Sequence, residues 1–133
     1  MNAGDVGEAS LVVGPRDSAK GLAVDPGDNF PDVFATSRMI ALMEVAASRT
    51  MTPLLEEGQL SVGVGVDIRH LAATPPGVEV KAVATFLRMD GKLYRFRVEA
   101  FDAGGLIGEG EHTRAIVGAD RLIAGAMSRV KSA

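Results

Sequence analysis

The chain has 133 residues, 47% of them apolar and 23% charged, with a formal net charge of −3 and no cysteine. That length and balance describe a single soluble globular domain with a core of its own. The absence of cysteine excludes a disulfide framework, a thiol nucleophile and a thiolate metal site. No cluster of Lys and Arg points to nucleic acid as a partner. No apolar run approaches the roughly 20 residues needed to span a bilayer, so no membrane partner is expected.

The first eight residues are expected to be flexible. The opening MNAGDVGEAS has no apolar stretch of the signal-peptide kind, so a cytoplasmic location is expected. Leu11-Val12-Val13 and the Gly-Pro turn after it predict a strand within 9–24. Asp25-Pro26-Gly27-Asp28 is a turn, and Phe30-Pro31 opens a short segment that leads into a helix.

That helix is TSRMIALMEVAASRTMTPLL, 36–55, with Thr36 as its natural N-cap and Pro53 marking a kink or an earlier end. At 100° per residue, Arg38, Arg49 and Glu56 fall within about 20° of one another and mark the solvent stripe. Glu44 lies about 120° from that stripe, among Ile40, Met51 and Leu55. A carboxylate on an apolar face must be paired, protonated or put to use, because burying it alone is costly.

After Glu57-Gly58 the period changes to two. Val62, Val64, Val66 and Ile68 predict the buried face of a strand, which His70 extends toward the helix layer. The loop 72–77 ends it. Val78, Val80, Ala82, Ala84 and Phe86 line a second strand, and Asp90-Gly91 signals a hairpin into Tyr94, Phe96, Val98 and Ala100. Ala103-Gly104-Gly105 turns the chain into a last strand over 106–117, where Gly108 and Gly110 mark a bulge or a close backbone approach. Leu122, Ile123, Ala126, Met127 and Val130 predict a terminal helix. Strand, helix, then four strands make an α+β domain of two layers, one domain over 1–133.

Among residues able to do chemistry, Glu44 reads either as a satisfied structural acid or as a general base whose proton affinity its surroundings raise. His70 is either a satisfied core histidine or its catalytic partner. Thr36 is explained by capping alone, although unpaired amides at a helix start also hold an acyl oxygen or an anion. Thr36 and Glu44 are about 12 Å apart along the helix and about 80° apart around it. They cannot hydrogen-bond directly, so if both act, a substrate lies between them or a second subunit completes the site. His112 and Arg114 share a strand face, either as a solvated pair or with Arg114 placed to meet an anionic part of a ligand. Gly63 either relieves crowding or lets a ligand approach the backbone. No metal-ligand spacing, phosphate loop or nucleophile elbow is present, so neither a metal nor a cofactor is expected.

Three segments, FPDVFATSRMIALMEVAA, VGVGVDIRHLAATPPG and GEGEHTR, resemble in register the fluoroacetyl-CoA thioesterase family of hotdog-fold proteins, from about Phe30 to Val117. The resemblance implies a long central helix wrapped by an antiparallel five-stranded sheet, with a C-terminal helix after it. It also implies a homodimer with sites at the subunit interface. By position it assigns Thr36, Glu44 and His70 to catalysis, Gly63 and Arg114 to the substrate, and Phe30 to the acyl pocket. The implied reaction is hydrolysis of a small acyl-CoA. Glu44 and His70 act on water and the thiolate, while Thr36 engages the carbonyl or attacks it. The acyl group stays open, because one methylene in an apolar pocket is worth only about 1–3 kcal/mol. Two rivals are an enoyl-CoA hydratase-type hotdog enzyme and a non-catalytic acyl-thioester binding protein.

Overall fold

The computed structural model describes residues 1–132. Its elements are β1 (Val6–Val12), α1 (Thr36–Met51), β2 (Gln59–His70), β3 (Glu79–Asp90), β4 (Leu93–Asp102), β5 (Gly105–Gly118) and α2 (Ala119–Lys131), with short 3-10 turns at Pro15–Asp17, Ala19–Leu22 and Thr52–Leu54. The strands form one antiparallel sheet in the order β1-β3-β4-β5-β2. Local chemistry sets its hairpins: Gly91 and Gly105 both adopt positive φ, at 62° and 119°, where the chain must reverse tightly.

The helix buries Met39, Leu42, Met43, Ala46, Ala47 and Met51, residues spaced to share one face. They pack on Val80, Ala82, Ala84, Phe96, Val98 and Ala100 of the central strands. Small residues let the layers close. A Cβ on Gly7 would strike the Ala46 carbonyl and the Thr50 hydroxyl, and one on Gly108 would strike the Met39 thioether. Gly110 is similarly tight against the backbone of Asp67 and Ile68, the close approach its position predicts.

Four local expectations are corrected. First, β1 begins at Val6, so Val6–Glu8 pair with β3 rather than belonging to a flexible terminus. Gly7 and Ala9 face inward there, too small to give a hydrophobic signal. Second, of the two outcomes Pro53 allowed, the earlier end holds: α1 stops at Met51 instead of running to 55, and Pro53 lies in the 3-10 turn that follows. Third, Thr36 is not the N-cap. Ala35 takes that position without a side-chain cap bond, and Thr36 is the first helical residue.

The fourth correction bears on the site. The register between β2 and β5 shifts between Gly63 and Gly65, so Val64 is an extra, bulged residue. One extra residue exchanges the faces of a strand. Ser61 and Gly63 therefore face the helix before the bulge, and Val66, Ile68 and His70 face it afterwards. Val62, expected inward, pairs with Ala115 on the other face.

Among the described residues, apolar side chains are exposed on β2 and α2 as well as on Val6 and Val12 of the other sheet edge, β1. Strand β2 is a sheet edge whose Leu60, Val64 and Val66 are exposed. Helix α2 buries no residue and exposes Leu122, Ile123, Met127 and Val130. Among the described residues no helix is long and apolar enough to cross a membrane.

Candidate active site

The candidate residues gather into two clusters at different heights along α1. The first lies at its start. Asp17 is buried, accepts from the Gly14 amide at 2.9 Å and pairs with Arg38 at 3.1 Å. Its own carbonyl accepts from the Ala35 amide at 2.8 Å, which pins the helix entry. On the facing side, the amides of Leu71 and Ala72 donate to the Ile107 carbonyl at 2.7 and 3.2 Å and hold the end of β2. Between these anchors Thr36 Oγ1 and His70 Nδ1 lie 2.7 Å apart. Thr36 is solvent-exposed, whereas His70 Nε2 is shielded and has no partner among the described residues.

Burial lowers the His70 pKa below its ordinary 6.5, with a backbone interaction at Ala72 acting against it. The ring is therefore neutral at pH 7 and carries one proton. Either Thr36 donates to a bare Nδ1, leaving that proton on Nε2, or it accepts from Nδ1–H. The hydroxyl and the ring are coupled in both states.

The second cluster sits mid-helix, against β2 and β5. Arg114 Nη1 donates to Glu44 Oε1 at 3.3 Å and to His112 Nε2 at 3.1 Å. Its Nε donates to Ser61 Oγ at 3.1 Å and its Nη2 to the Ser61 carbonyl at 2.9 Å. His112 Nδ1 donates to the Gly65 carbonyl at 2.7 Å. Burial works against the Arg114 charge, and Glu44 beside it favours the charge. Gly63 makes room for this arrangement, since a Cβ there would land on Glu44 Oε1.

Glu44 is thus not an acid sealed among apolar groups. Its side chain is 42% exposed and that of Arg114 only 7%, so Glu44 reaches from the ion pair toward open space. A cavity of about 220 Å³ lies at that point, lined by Ile40, Glu44, Gly63, Val64, Gly65, Val66 and His112. A larger, open groove of about 540 Å³ runs beside it and holds none of the expected site residues. Arg95 and Arg97 within that groove are already paired, with Asp90, Glu99, Glu109 and Glu111.

Of the six expected residues, Thr36 joins His70, and Glu44 joins Gly63 and Arg114. Phe30 joins neither cluster; it is exposed ahead of α1 and lines neither cavity, while Phe34 is buried in the core. Ser61 was not foreseen, because regular alternation put it outside. The Gly-Val-Gly at 63–65 was the available sign of the bulge that turns it inward. Among the described residues no three His, Asp or Glu side chains gather to hold a metal.

Residues 17–120 match a family model described as fluoroacetyl-CoA-specific thioesterase. The fluoroacetyl-CoA thioesterase of Streptantibioticus cattleyicolor is 38% identical over 119 residues, covering 88% of this chain and 86% of that protein. The solved structure of the fluoroacetyl-CoA thioesterase FlK superposes with a TM-score of 0.90 at 35% identity, covering 96% of each chain. A Thermus thermophilus hypothetical protein of the thioesterase superfamily superposes at 0.86 with 31% identity, over 99% of this chain and 94% of that one.

Proposed function

The chain belongs to the fluoroacetyl-CoA-specific thioesterase family, and from that premise we propose that it hydrolyses a small acyl-CoA at a site shared by two copies of itself. It is a hotdog-fold acyl-CoA thioesterase. The proposal concerns the residues, the assembly and the acyl size.

The observation that carries it is the 2.7 Å contact between Thr36 Oγ1 and His70 Nδ1. Thr36 donates to Nδ1, so the proton of the neutral ring stays on the shielded, unpartnered Nε2. The amides opening α1 have no carbonyl one turn earlier, and they receive the oxygen of the thioester. Water adds to the carbonyl carbon as Glu44 removes its proton. The tetrahedral adduct collapses, the C–S bond breaks, and the thiolate departs beside the Thr36–His70 pair, whose exposed member is Thr36. The proton held by Glu44 ends on that sulfur, giving free acid and CoA. Gly63 and Arg114 keep Glu44 in position.

Within one chain Glu44 stands about 12 Å along the helix from Thr36, too far for both to meet one carbonyl. A second copy supplies the missing half: Glu44 of one subunit serves the Thr36–His70 pair of the other. The exposed apolar edge of β2 supports this assembly, since an unpaired edge with exposed Leu60, Val64 and Val66 is a ready pairing surface. We place the enzyme in the cytoplasm, where CoA thioesters are made and used.

The test is thiol release from acetyl-, fluoroacetyl-, longer and aryl-acyl-CoAs, with an enoyl-CoA followed beside them for both thiol and absorbance. Release from the shortest acyl groups is expected. Loss of enoyl absorbance without thiol would replace hydrolysis with hydration, and tight binding without turnover would replace it with a carrier role.

A further inference from the structure

We propose that His112 is a positioning residue, whose unprotonated imidazole locks Arg114 and the β2 bulge so that Glu44 faces the cavity. The inference rests on the thioesterase reading and adds to it a residue outside the six discussed above.

His112 is 2% exposed, and both its ring nitrogens are engaged. The Gly65 carbonyl only accepts, so Nδ1 must carry the proton at that 2.7 Å contact. Arg114 Nη1 only donates, so Nε2 must be bare at 3.1 Å. The two partners together admit one tautomer and one charge state. They also tie together the two features that place Glu44. Gly65 closes the bulge that gives Glu44 room over Gly63, and Nη1 is the Arg114 nitrogen that reaches Glu44.

The remaining Arg114 nitrogens are anchored to Ser61, which leaves the planar guanidinium free only to rock about the line through them. His112 supplies that last constraint. Protonating it would set N–H against N–H and cation against cation, breaking the lock. The charged groups facing the ring are Glu44 from α1 and Arg114 from its own strand. Strand β2 presents Gly63, Gly65 and Val66, and β4 presents Phe96 at the paired position. Burial and the Arg114 charge hold the His112 pKa below 6.5, against the opposing pull of Gly65 and Glu44. The lock is therefore closed at pH 7 and opens as the pH falls through that lowered value.

Three variants separate the two hydrogen bonds. H112Q places an amide oxygen near the position of Nε2, H112N places an amide N–H near that of Nδ1, and H112F removes both. Steady-state thiol release should show H112Q and H112N each retaining part of wild-type kcat, H112Q the more, and H112F lower than both and below wild type by about tenfold or more. KM should move less than kcat. The acid limb of kcat in H112Q should be shallower by about one proton. Wild-type kcat in H112F, or equal losses in all three variants with an unchanged acid limb, overturns the proposal. A second measurement needs no variant: imidazole ¹⁵N shifts of the wild type should show His112 as the neutral Nδ1–H tautomer at pH 7. An Nε2–H tautomer or an imidazolium there also overturns it. A wild type that releases no thiol refutes the thioesterase reading instead.

Discussion

Gly63→Ala places one methyl group where Glu44 Oε1 now lies, and within 3.3 Å of Glu44 Cδ and His112 Cε1. Ordinary carbon–oxygen contact is about 3.5 Å, so the carboxylate must retreat by on the order of 1 Å. It is the free end of a flexible side chain and is able to move, at the expense of the 3.3 Å pair with Arg114. Glu44 is 42% exposed, so solvent screens that pair and its loss costs about 0.5–1 kcal/mol. Replacing a strand glycine by alanine returns about 0.5–1 kcal/mol. The melting temperature should therefore stay within a few degrees of wild type. Catalysis should respond very differently, because a base displaced by about 1 Å loses about a hundredfold in rate, equivalent to about 2.7 kcal/mol. Gly65→Ala is the control: its Cβ would meet only Thr113 Oγ1, at 3.1 Å, and kcat should change by less than about fivefold. The assay is thiol release per folded molecule, beside thermal melts. A Gly63→Ala enzyme with wild-type kcat would refute the placement of Glu44 as the base.

The Thr36 hydroxyl bonds His70 rather than capping the helix, so Thr36→Ala should cost less stability than the ~1 kcal/mol of a true N-cap. It should still lower kcat by about ten- to a hundredfold, with Thr36→Ser retaining most activity; a large loss of melting temperature with kcat intact would reverse that assignment. Glu44→Gln should nearly abolish thiol release while Arg114 keeps its bonds to Ser61 and His112; full turnover in that variant would exclude Glu44 as the base. His70 titrates below 6.5 in the folded chain, so its required neutral form persists below that pH, and the acid inflection of kcat/KM should lie under 6.5. The same shift destabilises the fold as pH falls through 6.5, because the unfolded chain takes up the proton first. Rising melting temperatures between pH 7 and 5 would contradict it.

Sequence periodicity carried the helix, the β3–β4–β5 hairpins and the direction of His70, because apolar spacing and turn glycines act locally. It failed where one residue changed the count. The bulge at Val64 exchanged the faces of β2, so Ser61 moved inward to brace Arg114 while Val62 turned away. Glu44 was legible as an anomaly on its helix. Its partner was not, because Arg114 lies seventy residues downstream and only the sheet register brings the two together. Thr36 carried the opposite difficulty. Capping explained it so well from sequence that its contact with His70 emerged only from the end of β2 folding back over the helix start.

The most direct test of a site divided between subunits is complementation. Two inactive variants, His70→Ala and Glu44→Gln, are mixed at equal concentration, unfolded, refolded together and assayed for thiol release. In a two-fold dimer whose sites take His70 from one chain and Glu44 from the other, each mixed dimer has one intact site. Random pairing should then restore about a quarter of wild-type activity. Sites built within single chains would leave every mixed dimer as inactive as its parents, and that result would contradict the shared site.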